Sequence, residues 1–201
     1  ERIAAGRGTE NDIVVLQNLR KVYSNKKVAV RDLSFGIPVA QTFGFLGING
    51  AGKTTSLSIL SGDLVPTSGG ARIGGFDVLT EQSKLRRLLG FCPQFDALLA
   101  LLTVKEHLYL YGAIKGLKDD ELDAAVRNSI LELGLLEYTD KQAGTLSGGN
   151  RRKLSVALAL IGSPPVLILD EPSTGVDPVA RRHMWDVINR VTSQQKLCSV
   201  V

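Results

Sequence analysis

Gly47-Ile48-Asn49-Gly50-Ala51-Gly52-Lys53-Thr54 constrains this chain more than any other stretch of it. The pattern G-x-x-x-x-G-K-[ST] works only where a strand runs into a helix. Both flanks fit: Thr42–Leu46 reads as a strand, and a helical pattern begins near Lys53. Gly47, Gly50 and Gly52 let the backbone turn so that successive N–H groups point inward at phosphate oxygens. The start of the helix adds partial positive charge. Lys53 brings a point charge to the β- and γ-phosphates, and the Thr54 hydroxyl is a Mg²⁺ ligand. The residues expected at the nucleotide are therefore Gly47, Asn49, Gly50, Ala51, Gly52, Lys53, Thr54 and Thr55. The loop binds a nucleoside triphosphate.

The rest of the chain suits an α/β frame around that loop. At 201 residues, 44% of them hydrophobic and 22% charged, it can bury a core as one domain. Its longest apolar stretches, Ala97–Leu102 and Val156–Ile161, fall well short of the roughly 18–20 residues of a membrane span. Two cysteines, Cys92 and Cys198, make no disulfide framework and fit a reducing compartment. The net charge of +4 is spread along the chain, and aromatics are only 5%. With no zinc-ligand spacing and no RNA-binding signature, nucleic acid is not an expected partner.

Residues 1–12 are polar and read as a linker, with the domain spanning 13–201. Strands are expected at Ile13–Leu16, around Leu33, Phe35 and Ile37, at Ala71–Ile73 and at Leu89–Cys92. Residues from about 95 to 160 read as a mainly helical insert: Thr103–Tyr111 is one helix, and Leu122, Val126, Ile130 and Leu133 share a face of another. For the apolar run Ala97–Leu102 an internal core helix is the favoured reading. Val166–Leu169 suits a strand buried on both faces, Pro178–Val191 a last helix, and Ser199–Val201 the start of a further strand.

Val166–Leu169 ends in Asp170-Glu171, which puts two carboxylates at the mouth of a buried strand. Asp170 suits Mg²⁺, largely through its waters, and Glu171 suits polarising the water that attacks the γ-phosphate. A phosphate loop with an acidic strand serves kinases, GTPases and motors alike. The tie is broken by Leu146-Ser147-Gly148-Gly149-Asn150, a second small-residue turn opening a helix 21 residues before Asp170, counted from Gly149.

That turn closely resembles the signature motif of the ABC ATPases, with Asn150 where the usual form has Gln. The resemblance covers the chain from about Ile13 onward. It implies a P-loop NTPase core with an N-terminal antiparallel β-subdomain and an inserted α-helical subdomain. It also implies that Leu146–Asn150 face the nucleotide of a partner domain. By the same resemblance Gln94 is the Q-loop glutamine that senses Mg²⁺ and the attacking water, so Thr54, Gln94 and Asp170 form the expected metal set. Glu171, Gln94 and Lys53 form the expected catalytic set. Thr174-Gly175-Val176-Asp177 resembles the D-loop that crosses the dimer interface, and Tyr23 the aromatic that stacks on adenine. Gly90–Leu99, Thr103–Gly116 and Leu146–Pro178 resemble the eukaryotic A subfamily of lipid transporters in particular.

The resemblance implies ATP and Mg²⁺ as cofactors, a second nucleotide-binding domain and transmembrane domains as partners, and a place at the cytoplasmic face of a membrane. The insert around Gln94–Gly116 is expected to dock the membrane domain. The family's switch histidine would fall ~4 residues past Val201 by motif spacing. The chain is accordingly expected to be a fragment lacking its C-terminal part, binding ATP and hydrolysing it poorly. His107 and His183 are read as ordinary helix-surface or interface residues. The competing readings are a soluble ABC ATPase acting on ribosomes or chromosomes, and a regulatory half with little turnover.

Overall fold

A computed structural model describes residues 11–48, 50–194 and 198–200, with the backbone alone for 194 and 198–200. Among the described residues, two four-stranded sheets are flanked by helices. The first sheet is antiparallel, in the order β2(Val28–Pro38)-β1(Asp12–Val22)-β4(Ser68–Ile73)-β5(Phe76–Asp77). The second is parallel, in the order β3(Thr42–Phe43)-β8(Cys198–Val200)-β7(Val166–Leu169)-β6(Leu89–Cys92). The helices are α1(Lys53–Leu60), α2(Gln82–Leu88), α3(Val104–Lys115), α4(Asp119–Glu132), α5(Gly148–Leu160) and α6(Pro178–Gln194). None is long and apolar enough to cross a membrane.

β1 is longer than the four residues its apolar run suggests. Val14 and Leu16 are buried in strict alternation, and then the register shifts and Leu19 takes the next buried place. Asn18, at φ 48°, absorbs the extra residue, and its backbone N–H donates to Ser34 Oγ at 2.8 Å. A period-two reading loses the strand at this bulge. Asp12, placed in the expected linker, already pairs with Pro38; residues 1–10 of that linker lie outside the described residues.

Two further expectations are corrected. The ladder of β3 stops at Phe43, opposite Val200, instead of reaching Leu46. Phe43 and Phe45 pack on Phe35, with ring centroids 5.0 and 5.8 Å away, which ties the second sheet to the first. Ala97–Leu102 forms no helix; it runs as a turn with Leu99 and Leu101 exposed. Its end is set by the capping box of α3, in which Thr103 Oγ1 accepts from the Glu106 N–H and Glu106 accepts from the Thr103 N–H.

β7 is buried along its whole length and serves two cores at once. Val166 and Ile168 belong to a cluster with Val14, Leu16, Leu57 and Ile73 beneath the first sheet. Leu167 and Leu169 belong to a second cluster with Leu108, Ile130, Leu154 and Ile188 among the helices. Alternation along a strand covered on both faces produces this division.

Candidate phosphate and metal site

The turn before α1 is built from backbone constraints. Gly52 has φ 92°, and a Cβ there would lie 2.5 Å from the Ala29 carbonyl oxygen, so this position admits glycine alone. α1 begins without a side-chain cap, leaving its first-turn N–H groups directed at the loop. Lys53 Nζ donates to the Gly47 carbonyl at 2.6 Å and the Ile48 carbonyl at 3.3 Å, which folds the cation over the loop. Asn49 lies outside the described residues.

A cavity of about 560 Å³ opens over this turn. Gly50, Gly52, Lys53, Thr54 and Thr55 line one side, Tyr23 with Lys27 and Ala29 a second, and Gln94 with Glu171 a third. Tyr23 is fastened there through its hydroxyl, 3.2 Å from Thr55 Oγ1. Gly47 and Ala51 belong to the same turn, in which the Ala51 N–H donates to the Ile48 carbonyl at 3.1 Å. The loop, Tyr23, Gln94 and Glu171 are thus gathered around one opening.

Asp170 stands behind that opening at the end of β7, only 5% exposed. Burial raises its pKa; the Thr54 hydroxyl hydrogen bond opposes that, Glu171 adds to it, and Arg152 and Lys53 pull it back. Glu171 follows in a left-handed conformation, φ 48°, which turns its side chain away from the strand line. Its Oε2 accepts from Gln94 Nε2 at 3.4 Å and from Thr174 Oγ1 at 3.2 Å. Among the described residues no three or more His, Cys, Asp or Glu side chains are grouped to hold a metal ion by themselves. The donors present are hard oxygens, from Thr54, Asp170 and Gln94. A desolvated carboxylate beside a hydroxyl fits Mg²⁺, which keeps waters and completes its shell with phosphate oxygens.

The remaining expected residues lie off this cavity. Ser147 caps α5 by accepting from the Asn150 N–H at 3.3 Å, with Leu146 buried beneath. Nothing lies within 4 Å of a Cβ built on Gly148 or Gly149, so this helix start faces open space. Asp177 caps α6 by accepting from the Ala180 and Val179 amides, at 3.0 and 3.1 Å, and those bonds hold its carboxyl below the usual range. Val176 is buried, and Thr174 and Gly175 form the exposed link from Glu171.

His107 corrects a sequence expectation. It is fully buried within α3, not on its surface. Nδ1 lies 2.8 Å from the Thr103 carbonyl, and Nε2 accepts from the Leu99 N–H at 3.0 Å. His183 is exposed on α6. Sequence reasoning also passed over Arg152, which is 3% exposed in α5 and bonded to both strand ends that carry Gln94 and Glu171. The available signal was its register: Arg152 precedes Ser155, Val156 and Ala159 by three, four and seven residues, which puts it on one helix face with those small and apolar side chains.

A sequence profile described as ABC transporter matches residues 30–174. The chain is 50% identical over 189 residues to the Bos taurus retinal-specific phospholipid-transporting ATPase ABCA4, covering 94% of this chain and 8% of the relative. It is 44% identical over 195 residues to the Homo sapiens phospholipid-transporting ATPase ABCA7, covering 96% of this chain and 9% of the relative. A solved dimeric ATP-binding cassette in a post-hydrolysis state, bound to ADP and Pi, superposes with a TM-score of 0.85 at 22% identity, over 94% of this chain and 86% of that one. This likeness establishes the fold: a P-loop NTPase core of ABC ATPase type, with its antiparallel β-sheet and its helices between Gln94 and Asp170.

Proposed function

This chain belongs to the ABC transporter family, and from that premise we propose that it is the ATP-binding and ATP-hydrolysing domain of a larger transporter that moves phospholipid or a related lipid. The relatives at 50% and 44% identity are named phospholipid-transporting ATPases. The chain spans under a tenth of their length, so the membrane-crossing work falls to other parts of such proteins. The cytoplasmic face of the membrane is where such a domain meets ATP.

The observation that carries the reading is the single cavity shared by Lys53, Thr54, Gln94 and Glu171. Lys53 exchanges its bonds to the Gly47 and Ile48 carbonyls for the β- and γ-phosphates, and the loop amides with the start of α1 neutralise further oxygens. Tyr23 stacks on adenine, held in place through Thr55. Thr54, Gln94 and Asp170 hold Mg²⁺, which when bound offsets charge on the phosphate oxygens. Glu171 takes a proton from the attacking water, oriented by Gln94 and Thr174.

A second domain of the same kind completes the site. Its Leu146–Asn150 helix start covers the γ-phosphate, and Thr174–Asp177 run along the shared face. The open surroundings of Gly148 and Gly149 are consistent with a ligand brought by a partner, as is the dimeric state of the cassette of like fold. Loss of the γ-phosphate removes that bridge and the pair separates. By this reading the isolated chain binds Mg·ATP and turns it over slowly, because half of each site is supplied in trans.

Calorimetric titration with Mg·ATP tests the assignment. The parent chain should bind, and Lys53→Ala should weaken binding by roughly 2–3 kcal/mol, the worth of a charge-assisted contact to phosphate. Equal affinity in parent and variant would remove the phosphate loop from the binding site.

A further inference from the structure

The loop carrying Gln94 and the strand end carrying Glu171 come from distant parts of the chain, and one side chain joins them. Arg152 lies in the second turn of α5, buried between the two. Its Nε donates to the Pro172 carbonyl at 2.8 Å, and its Nη2 to the carbonyls of Asp170 and Glu171 at 2.7 and 2.8 Å. Its Nη1 donates to the carbonyls of Pro93 and Gln94 and to Asp96 Oδ1, the last two at 3.3 Å. Asp96 is held in turn by Ser155 Oγ at 2.9 Å, one turn further along α5. A fork of rigidly spaced N–H donors is what so many carbonyls demand, and lysine cannot reproduce it.

The geometry points to Arg152 as a positioning residue for ATP hydrolysis: it fixes the backbones of Gln94 and Glu171 relative to one another, and so sets the Gln94–Glu171 contact that aims the attacking water. Glu171 needs such support. Its left-handed backbone is strained for a residue with a Cβ, and such conformations persist where the surroundings over-determine them. The carbonyls of Asp170, Glu171 and Pro172 are all held by one guanidinium. Arg152 also stands five residues after Ser147, the N-cap of the same helix, so the helix start that meets a partner's nucleotide is mechanically joined to the base and the glutamine of its own site. Arg152 lines no part of the nucleotide cavity, so any effect on binding is indirect and its main effect belongs to turnover.

This role rests on the hydrolase reading above. It is tested by steady-state and single-turnover ATP hydrolysis in the full-length protein that carries this domain, using Arg152→Lys, Glu171→Gln, the double variant and Asp96→Asn, with thermal melts of each. Arg152→Lys should lower kcat about 10–100-fold, the range expected when a catalytic geometry is misplaced by about 1 Å, with the Mg·ATP dissociation constant within about twofold of the parent. Because the arginine acts through Glu171, Arg152→Lys should add little to the loss already present in Glu171→Gln. Asp96→Asn, at the partly exposed end of the network, should fold normally and cost about 2–5-fold in kcat.

Unchanged kcat in Arg152→Lys and Asp96→Asn overturns the positioning role and leaves the hydrolase reading standing. An equal fractional loss in the parent and Glu171→Gln backgrounds overturns action through Glu171. A parent protein that does not hydrolyse ATP overturns both.

Discussion

At the scale of single residues, the site is a set of groups kept in states they would not choose in water. Asp170 is the clearest case, since burial outweighs the help it receives from Thr54, Arg152 and Lys53 and its pKa stands above the ordinary 3.8. The sign of the linkage follows. In the pH interval between 3.8 and the raised folded value, the folded chain holds a proton that the unfolded chain has released. This group therefore favours folding at the acid end of that interval, and its contribution falls as pH rises through it. Wherever the folded chain holds this carboxylate ionised, burial makes that state costly. Asp170→Asn should remove that cost and raise the melting temperature at pH 7. The same variant should lose the Mg²⁺ dependence of ATP binding. A melt unchanged or lowered at pH 7 and equal to the parent near pH 3 would contradict the assignment. Lys53, Thr54, Asp170 and Glu171 are legible in the sequence because each lies within a short run whose local structure dictates its direction. Arg152 is not, because its acceptors are carbonyls 18 to 59 residues away.

The elements are held by local signals of unequal strength. α3 starts where Thr103 and Glu106 cap one another, and it stops at Gly116, φ 96°. The Ala97–Leu102 turn before it has no such signal and depends on His107, whose Nε2 receives the Leu99 amide. This bond requires the tautomer with the proton on Nδ1, which the Thr103 carbonyl at 2.8 Å favours. His107→Leu keeps the apolar bulk and leaves that amide without its acceptor. Urea denaturation should show a loss of about 1–3 kcal/mol, with the helix content by circular dichroism nearly unchanged. A stability within about 0.5 kcal/mol of the parent would mean that water serves the amide equally well. The bulge at Asn18 and the short α2, with Leu85 its only buried residue, escaped sequence reasoning for a related reason: neither has a periodicity long enough to register.

At the scale of the molecule, β7 makes one cooperative body out of two cores. Ile168 faces the cluster under the antiparallel sheet, and Leu167 faces the helices. Ile168→Ala and Leu167→Ala should each cost about 2–5 kcal/mol, the range for truncating a buried aliphatic side chain. The informative probe is the single tryptophan, Trp185, which packs on the helical cluster. In Ile168→Ala its fluorescence should melt together with the far-UV signal, although the cavity lies in the other core. Two separated transitions would mean that β7 does not couple them. The proposed hydrolysis would depend on that coupling, because α1, which follows the Gly47–Lys53 loop, packs in one core and α5 with Arg152 in the other.

The sequence by itself determined the phosphate loop, the acidic strand end and the helix start at Ser147. In each, glycine freedom, an apolar run or a capping residue acts within about one turn of the residue it places. Only the tertiary structure decided that His107 is a buried acceptor, that Ala97–Leu102 is a turn, and that Arg152 binds the Gln94 and Glu171 loops together. Those outcomes depend on which backbone carbonyls and amides the fold leaves facing a buried side chain. The partners of Arg152 lie 18 to 59 residues away and meet it only in the fold; those of His107 lie within eight residues, but its burial comes from the helical core around α3.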